Sequence, residues 1–144
     1  MIQIKSRAKD TFKSEFFPQR WLYGTPVQDG DDTWMCVKKE DRGIVSVKVD
    51  PSTLGQFTGL TDRNGKEIYE GDIFTVNGKY PRVILWDKMC WALMPTEYFH
   101  DEMFWVMNLQ HPGIDWWEEF ADEFEVIGNI HDNPELIPNQ PTEV

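Results

Sequence analysis

Gly55-Gln-Phe-Thr-Gly-Leu-Thr-Asp-Arg-Asn-Gly-Lys-Glu-Ile-Tyr-Glu-Gly-Asp-Ile73 places four glycines among polar turn residues and then releases into a β-type run. Asn64-Gly65 is the pair best suited to a turn with positive φ at both central positions, which would set Leu60 and Ile68 side by side. A second such pair, Asn77-Gly78, joins Asp72-Ile-Phe-Thr-Val76 to Arg82-Val-Ile-Leu-Trp86, and Asp87-Lys88 separates Trp86 from Met89-Cys-Trp-Ala-Leu-Met94. Two connections this short predict three adjacent antiparallel strands.

Toward the N-terminus the same grammar continues. Trp21-Leu-Tyr-Gly-Thr-Pro-Val27, Thr33-Trp-Met-Cys-Val-Lys38 and Gly43-Ile-Val-Ser-Val-Lys-Val49 are candidate strands, connected through Gln28-Asp-Gly-Asp-Asp32 and Lys39-Glu-Asp-Arg-Gly43. In the third, Ile44, Ser46 and Lys48 alternate with Val45, Val47 and Val49, so one face is apolar. Asp50-Pro51 marks a corner, because proline lacks the ladder donor and biases Asp50 away from helical backbone. The predicted division is an N-terminal β subdomain over 1–54, a second over 55–134 and a tail over 135–144.

Toward the C-terminus, residues 97–110 read as a further strand or a bent loop. Pro112-Gly113 then breaks the chain, Asp115 can cap and Glu118 stands three residues on as its reciprocal partner, with Ile114, Trp117, Phe120, Ala121 and Phe124 on one helical face. A short amphipathic helix over about 115–124 is expected. It leads into Glu125-Val-Ile-Gly-Asn-Ile130, a strand whose central Gly128 suggests a bulge or a close backbone approach.

Composition sets the limits. The chain has 144 residues, 40% of them hydrophobic and 14% aromatic, which suffices for a packed core and argues against a disordered chain. Cys36 and Cys90 are too few for a disulfide framework or a zinc site and read as reduced, buried thiols. The first ten residues lack an apolar signal core, and no run approaches the roughly 18 apolar residues of a membrane span. A soluble, cytoplasmic protein is expected. The net charge of -11 is unevenly spread: all 14 Lys and Arg fall within residues 1–88, and the last 56 residues carry 12 Asp and Glu without one cation. Those carboxylates must be solvated or face a cation from elsewhere.

The order Asp50-Pro51, Thr53, Gly55-Gln-Phe-Thr-Gly-Leu60, Asp62, Asn64-Gly-Lys-Glu-Ile-Tyr-Glu-Gly-Asp-Ile73, then Val126-Ile-Gly-Asn-Ile130 and Asn133-Pro-Glu-Leu136, resembles the YopX family of phage and prophage proteins. The opening, Ile4-Lys5-Ser6-Arg7-Ala8 leading to Trp21-Leu22-Tyr23-Gly24, is similar but looser. The resemblance implies a phage or prophage origin and a mainly β, two-part fold: a small N-terminal meander and a C-terminal SH3-like barrel-type subdomain carrying the one short helix. It supplies no catalytic residue, and residues 79–125 depart from its pattern.

Sites are sparse. His100-Asp101-Glu102, His111 and His131-Asp132 fit no metal-ligand spacing and read as surface or turn residues. Cys90 lies in an apolar run that disfavours a reactive thiolate. The glycines are spaced for turns and form no phosphate loop, and Glu70 and Asp72 around Gly71 read as turn-capping carboxylates. Trp86, Trp91, Trp105 and Trp117 could stack on single-stranded nucleic acid, but the carboxylates nearby oppose a polyanion, so core packing is expected. Neither metal nor cofactor is implied. The remaining handle is the cluster Asp115, Glu118, Glu119, Asp122, Glu123 and Glu125, read as a docking face for a basic host or phage protein, in a non-enzymatic module. The alternative is a nucleic-acid-binding barrel using Lys5, Arg7, Lys9, Lys13 and Arg20, with a metal-dependent hydrolase a distant third. Exposed strand edges would also permit a homo-oligomer.

Overall fold

The computed structural model of the protein describes residues 5–11, 20–87, 89–101, 105 and 108–138. Lys13, residues 102–104, 106 and 107, and the tail from 139, all invoked above, lie outside this set. The fold is mainly β, with two antiparallel sheets, and divides into two compact units between Phe57 and Thr58.

In the first unit, β1 (Ser6–Lys9), β2 (Trp21–Asp29), β3 (Asp32–Lys39) and β4 (Gly43–Val49) lie in the order β4-β3-β2-β1. The expected three-strand meander is present, and its alternation holds: Val49 is buried and Val45 and Val47 half-buried, while Ile44 is 75% exposed. Ala8, Leu22, Met35 and Val49 form the core, with Val37 and Val47 packed on it. Strand β1 was not legible in advance, because its alternating cations give no apolar signal. It exists because it has a neighbour on each edge, Ala8 opposite Leu22 of β2 and Arg7 opposite Gly55 of β5 (Gly55–Thr61). Asp50 makes the predicted corner by accepting the Ser52 N–H at the head of a short 3-10 turn, Pro51–Thr53.

The second unit begins within β5, which is followed by β6 (Glu67–Tyr69), β7 (Asp72–Val76), β8 (Lys79–Asp87), β9 (Cys90–Pro95), α1 (Ile114–Phe120) and β10 (Phe124–Asn129). Its four-stranded sheet runs β10-β7-β8-β9, so the predicted meander of three strands is present, with β9 at one edge and β10 added beside β7. Asn77 and Gly78 both have positive φ, 53° and 74°, as a tight hairpin demands. The other pair differs: only Gly65 has positive φ, at 80°. There the Asp62 carboxylate accepts the N–H groups of Asn64 and Lys66 and shapes the loop instead.

Both faces of this sheet are covered. Ile68, Phe74, Ile84, Leu93, Trp117 and Phe124 form the cluster on one side, and Ile73, Val83 and Ile137 the cluster on the other. The segment left open as strand or loop starts with a 3-10 turn, Thr96–Tyr98, and returns at Gln110, which exchanges two 2.8 Å backbone hydrogen bonds with Leu93. The thiols correct the sequence reading. Both are free, as expected, but neither is buried: Cys36 is half-buried, and Cys90 is exposed because it opens β9 beside the tight β8–β9 turn.

Gly128 does mark a bulge: the register of β10 on β7 shifts between Val126 and Gly128. A Cβ there would lie 2.5 Å from Asn133 Oδ1 and 2.9 Å from Leu136 Cδ1, and Asn133 is held in place by the Asn129 N–H at 3.1 Å. Gly128→Ala is therefore expected to destabilise the protein by about 1–3 kcal/mol, measured as a lower urea midpoint. An unchanged midpoint would mean that the Asn133 turn yields freely.

Candidate functional site

The acidic cluster is carried by α1 and the chain just beyond it. Pro112-Gly113 stops the preceding segment, and Gly113, not Asp115, is the residue before the helix: its carbonyl accepts the Trp116 N–H at 3.0 Å. The predicted cap is thus displaced. Asp115 falls inside the first turn, where a carboxylate favours the positive end of the helix dipole without capping it. The helix also ends early, at Phe120, passing through a 3-10 turn, Ala121–Glu123, so that Phe124 belongs to β10. Of the expected apolar side, Trp117 and Phe124 are buried and Phe120 and Ala121 packed beside them, while the Ile114 side chain lies outside the described set. Trp116 joins that side too, its ring 5.4 Å from Phe120 and 5.6 Å from Phe124.

Six carboxylates divide into two groups. Asp115, Glu118, Glu119 and Asp122 are exposed, recur at intervals of three and four, and form no ion pair with any described residue. Glu123 and Glu125 are half-buried, and Glu125 reaches Arg63 Nη1 at 3.9 Å. Like charges at such spacing on a helix repel each other, an unfavourable term that an external cation relieves.

Beside Glu118 opens a cavity of about 520 Å³. It is lined by Leu60 of β5, Ile84 and Trp86 of β8, Trp91 of β9, and Pro112, Gly113 and Trp117, with the exposed Met89 and Cys90 at its mouth. Trp86 and Trp91 are direct cross-strand partners, so their rings leave the sheet on the same face. Core packing, the expected use of the tryptophans, describes Trp117, but Trp86 is 45% exposed. Trp105 is half-buried and donates its indole N–H to the Phe99 carbonyl at 3.1 Å. Glu118 is the charged residue among the described lining residues.

The other candidates are dispersed. On β1, Arg7 is buried with its guanidinium 4.6 Å from the Trp21 ring and Lys9 approaches the same ring, while Lys5, just before the strand, lies over Phe57. Arg20 pairs with Asp10 at 3.5 Å. The basic residues are thus drawn onto aromatics and a carboxylate. Asp72 is buried and accepts the Tyr69 N–H at 2.8 Å, the turn-capping role anticipated, while burial pushes the Glu70 carboxyl up. His111 bonds Asp87 at 2.7 Å, His100 packs edge-on to Phe99, and His131 lies in the turn after β10. Among the described residues no three or more His, Cys, Asp or Glu side chains are gathered to hold a metal, and no helix is long and apolar enough to cross a membrane.

No curated protein matches the chain. Among solved structures it is similar to the crystal structure of protein EF1440 from Enterococcus faecalis, with 24% identity and a TM-score of 0.53 over 95% of this chain and 99% of that one. That likeness bears on the fold alone. The family model described as YopX protein matches residues 5–138. Both the glycine-rich segment around β5 to β7 and the bulged β10 lie inside that span, and the chain belongs to the YopX family.

Proposed function

We propose that this YopX-family protein is a non-enzymatic interaction module of phage or prophage origin, acting in the cytoplasm of the host, whose acidic α1 face binds a basic protein. The observation that carries the reading is the set Asp115, Glu118, Glu119 and Asp122, exposed and without an ion-pair partner among the described residues, standing beside an apolar cavity. Exposed ion pairs contribute only about 0–1 kcal/mol each, so the carboxylates would steer and select a partner while the cavity supplies contact area. An SH3-like second unit, as the family resemblance implies, would suit such a role by presenting one hairpin tip and one helix together. For nucleic acid the support is weaker, since Arg7 is buried and Lys9 and Arg20 are engaged.

The test compares tagged wild-type protein with a variant carrying Asp115→Asn, Glu118→Gln, Glu119→Gln and Asp122→Asn, each passed through host lysate. Wild type is expected to retain proteins rich in Lys and Arg and to release them at high salt, and the variant to retain less than about a tenth as much. Equal retention of the same proteins by both would contradict the reading. Because all four side chains are exposed, the variant should keep its stability to within about 0.5 kcal/mol.

A further inference from the structure

Trp86, Trp91 and Trp117 share one open cavity with a single described carboxylate, Glu118. The cross-strand pair Trp86 and Trp91 meets at 73° with ring centroids 5.0 Å apart, so the two indole planes make a corner and not a stack. Trp117 comes from α1, buried and set edge-on to Trp116 and Phe124 at 5.3 and 6.1 Å. That wall is fixed by the core. The mouth is not: Met89 is 85% exposed, and its unbranched thioether can fold over an occupant.

The sign of the occupant's charge follows from the lining. Beside the Glu118 carboxylate an anion is disfavoured, whereas an ammonium or guanidinium is attracted both by that carboxylate and by any indole face it reaches. A purely apolar group would leave Glu118 without a role. Elsewhere in the described chain, cations already lie over aromatic rings, Arg7 and Lys9 over Trp21 and Lys5 over Phe57, but none lies over Trp86, Trp91 or Trp117. The volume suits a long side chain with its stem, since small-ligand sites span about 300–1,000 Å³.

We propose that this cavity receives the cationic end of one Lys or Arg side chain of the protein partner, with its aliphatic stem along Leu60 and Ile84. The inference rests on the docking role proposed above and gives that role its anchor residue.

Two blocked tripeptides, identical except for lysine or norleucine between two leucines, serve as probes against the full chain, with indole N–H signals followed by NMR. The lysine peptide is expected to shift the Trp86, Trp91 and Trp117 signals and to bind about tenfold tighter than the norleucine peptide. Trp86→Ala should remove about that factor and Trp86→Phe restore part of it, while Glu118→Gln should weaken the lysine peptide severalfold and leave norleucine unchanged. Equal affinities, or shifts confined to other residues, would overturn the proposal. If the peptides bind equally while the four-carboxylate variant still loses its basic partners, the cation pocket alone fails. If that variant keeps them, the docking role fails first.

Discussion

Replacing Phe74 with alanine is expected to cost about 3–5 kcal/mol, a large share of the roughly 5–15 kcal/mol that holds a domain folded. Phe74 sits in β7, between Val126 of β10 and Arg82 of β8, with none of its surface exposed. Its ring meets Phe124 at 4.7 Å and belongs to the cluster with Ile68, Ile84, Leu93 and Trp117. A void there has strands on both sides and a helix above, none of which can collapse into it cheaply. Urea unfolding followed by tryptophan fluorescence measures the loss, and a decrease below about 1 kcal/mol would show that the cluster repacks. Since Ile84 and Trp117 also line the cavity, the same substitution should weaken lysine-peptide binding without touching the peptide.

Asp62→Ala is expected to destabilise by about 3–5 kcal/mol, through polar groups left unpaired. One carboxylate oxygen accepts the N–H groups of Asn64 and Lys66, both at 2.9 Å, and the other accepts the Val126 N–H at 3.0 Å, so a single side chain ties the loop before β6 to β10. Burial alone would raise its pKa. The donors of Val126, Lys66 and Asn64, with the Lys66 charge, outweigh that and hold the carboxyl below its ordinary value of 3.8. A folded-state pKa below the unfolded one means that the stabilisation is complete above the unfolded value and is lost as pH falls through the folded value. Wild type should therefore lose stability on acidification below about pH 4, and Asp62→Asn, which cannot titrate, should show a flatter curve over that window. Parallel curves for the two proteins would show that Asp62 contributes nothing to the acid sensitivity. Asparagine is no substitute at pH 7, because its amide nitrogen would point a donor at one of the three donors now satisfied.

Those two side chains also show where the sequence was readable. Strands β2 to β4 and β7 to β9 follow from alternation and turn chemistry, which are local: Val45, Val47 and Val49 point inward, and Asn77-Gly78 turns as its dipeptide demands. Asn64-Gly65 looks identical on paper yet turns differently, because Asp62 captures the Asn64 N–H and leaves only Gly65 in the left-handed region. The Asp115 cap was misplaced for a comparable reason: Gly113 already stands before the first turn, and its carbonyl takes the Trp116 N–H.

The cavity was not legible, since Leu60, Trp86, Trp91, Pro112 and Trp117 come from three strands, a loop and a helix that only the fold assembles. The one available sign was the density of tryptophan in the cation-free last third. Met89-Cys-Trp-Ala-Leu-Met94 is apolar throughout, a pattern that points to a buried Cys90. A hairpin tip, however, exposes its first residues whatever they are, and burial begins at Ala92. Acidity, by contrast, was correctly located by simple counting, because charge is a property of the sequence and needs no fold to be seen.

The proposed docking surface lies where α1 and the β8–β9 tip meet the cavity. Amide hydrogen exchange, compared for the protein alone and with the basic protein it retains from lysate, tests it most directly. Protection on binding should concentrate in residues 84–91 and 112–119 and leave β2, β3 and β4 unchanged. Protection confined to the N-terminal meander, with the cavity segments exchanging as before, would contradict it.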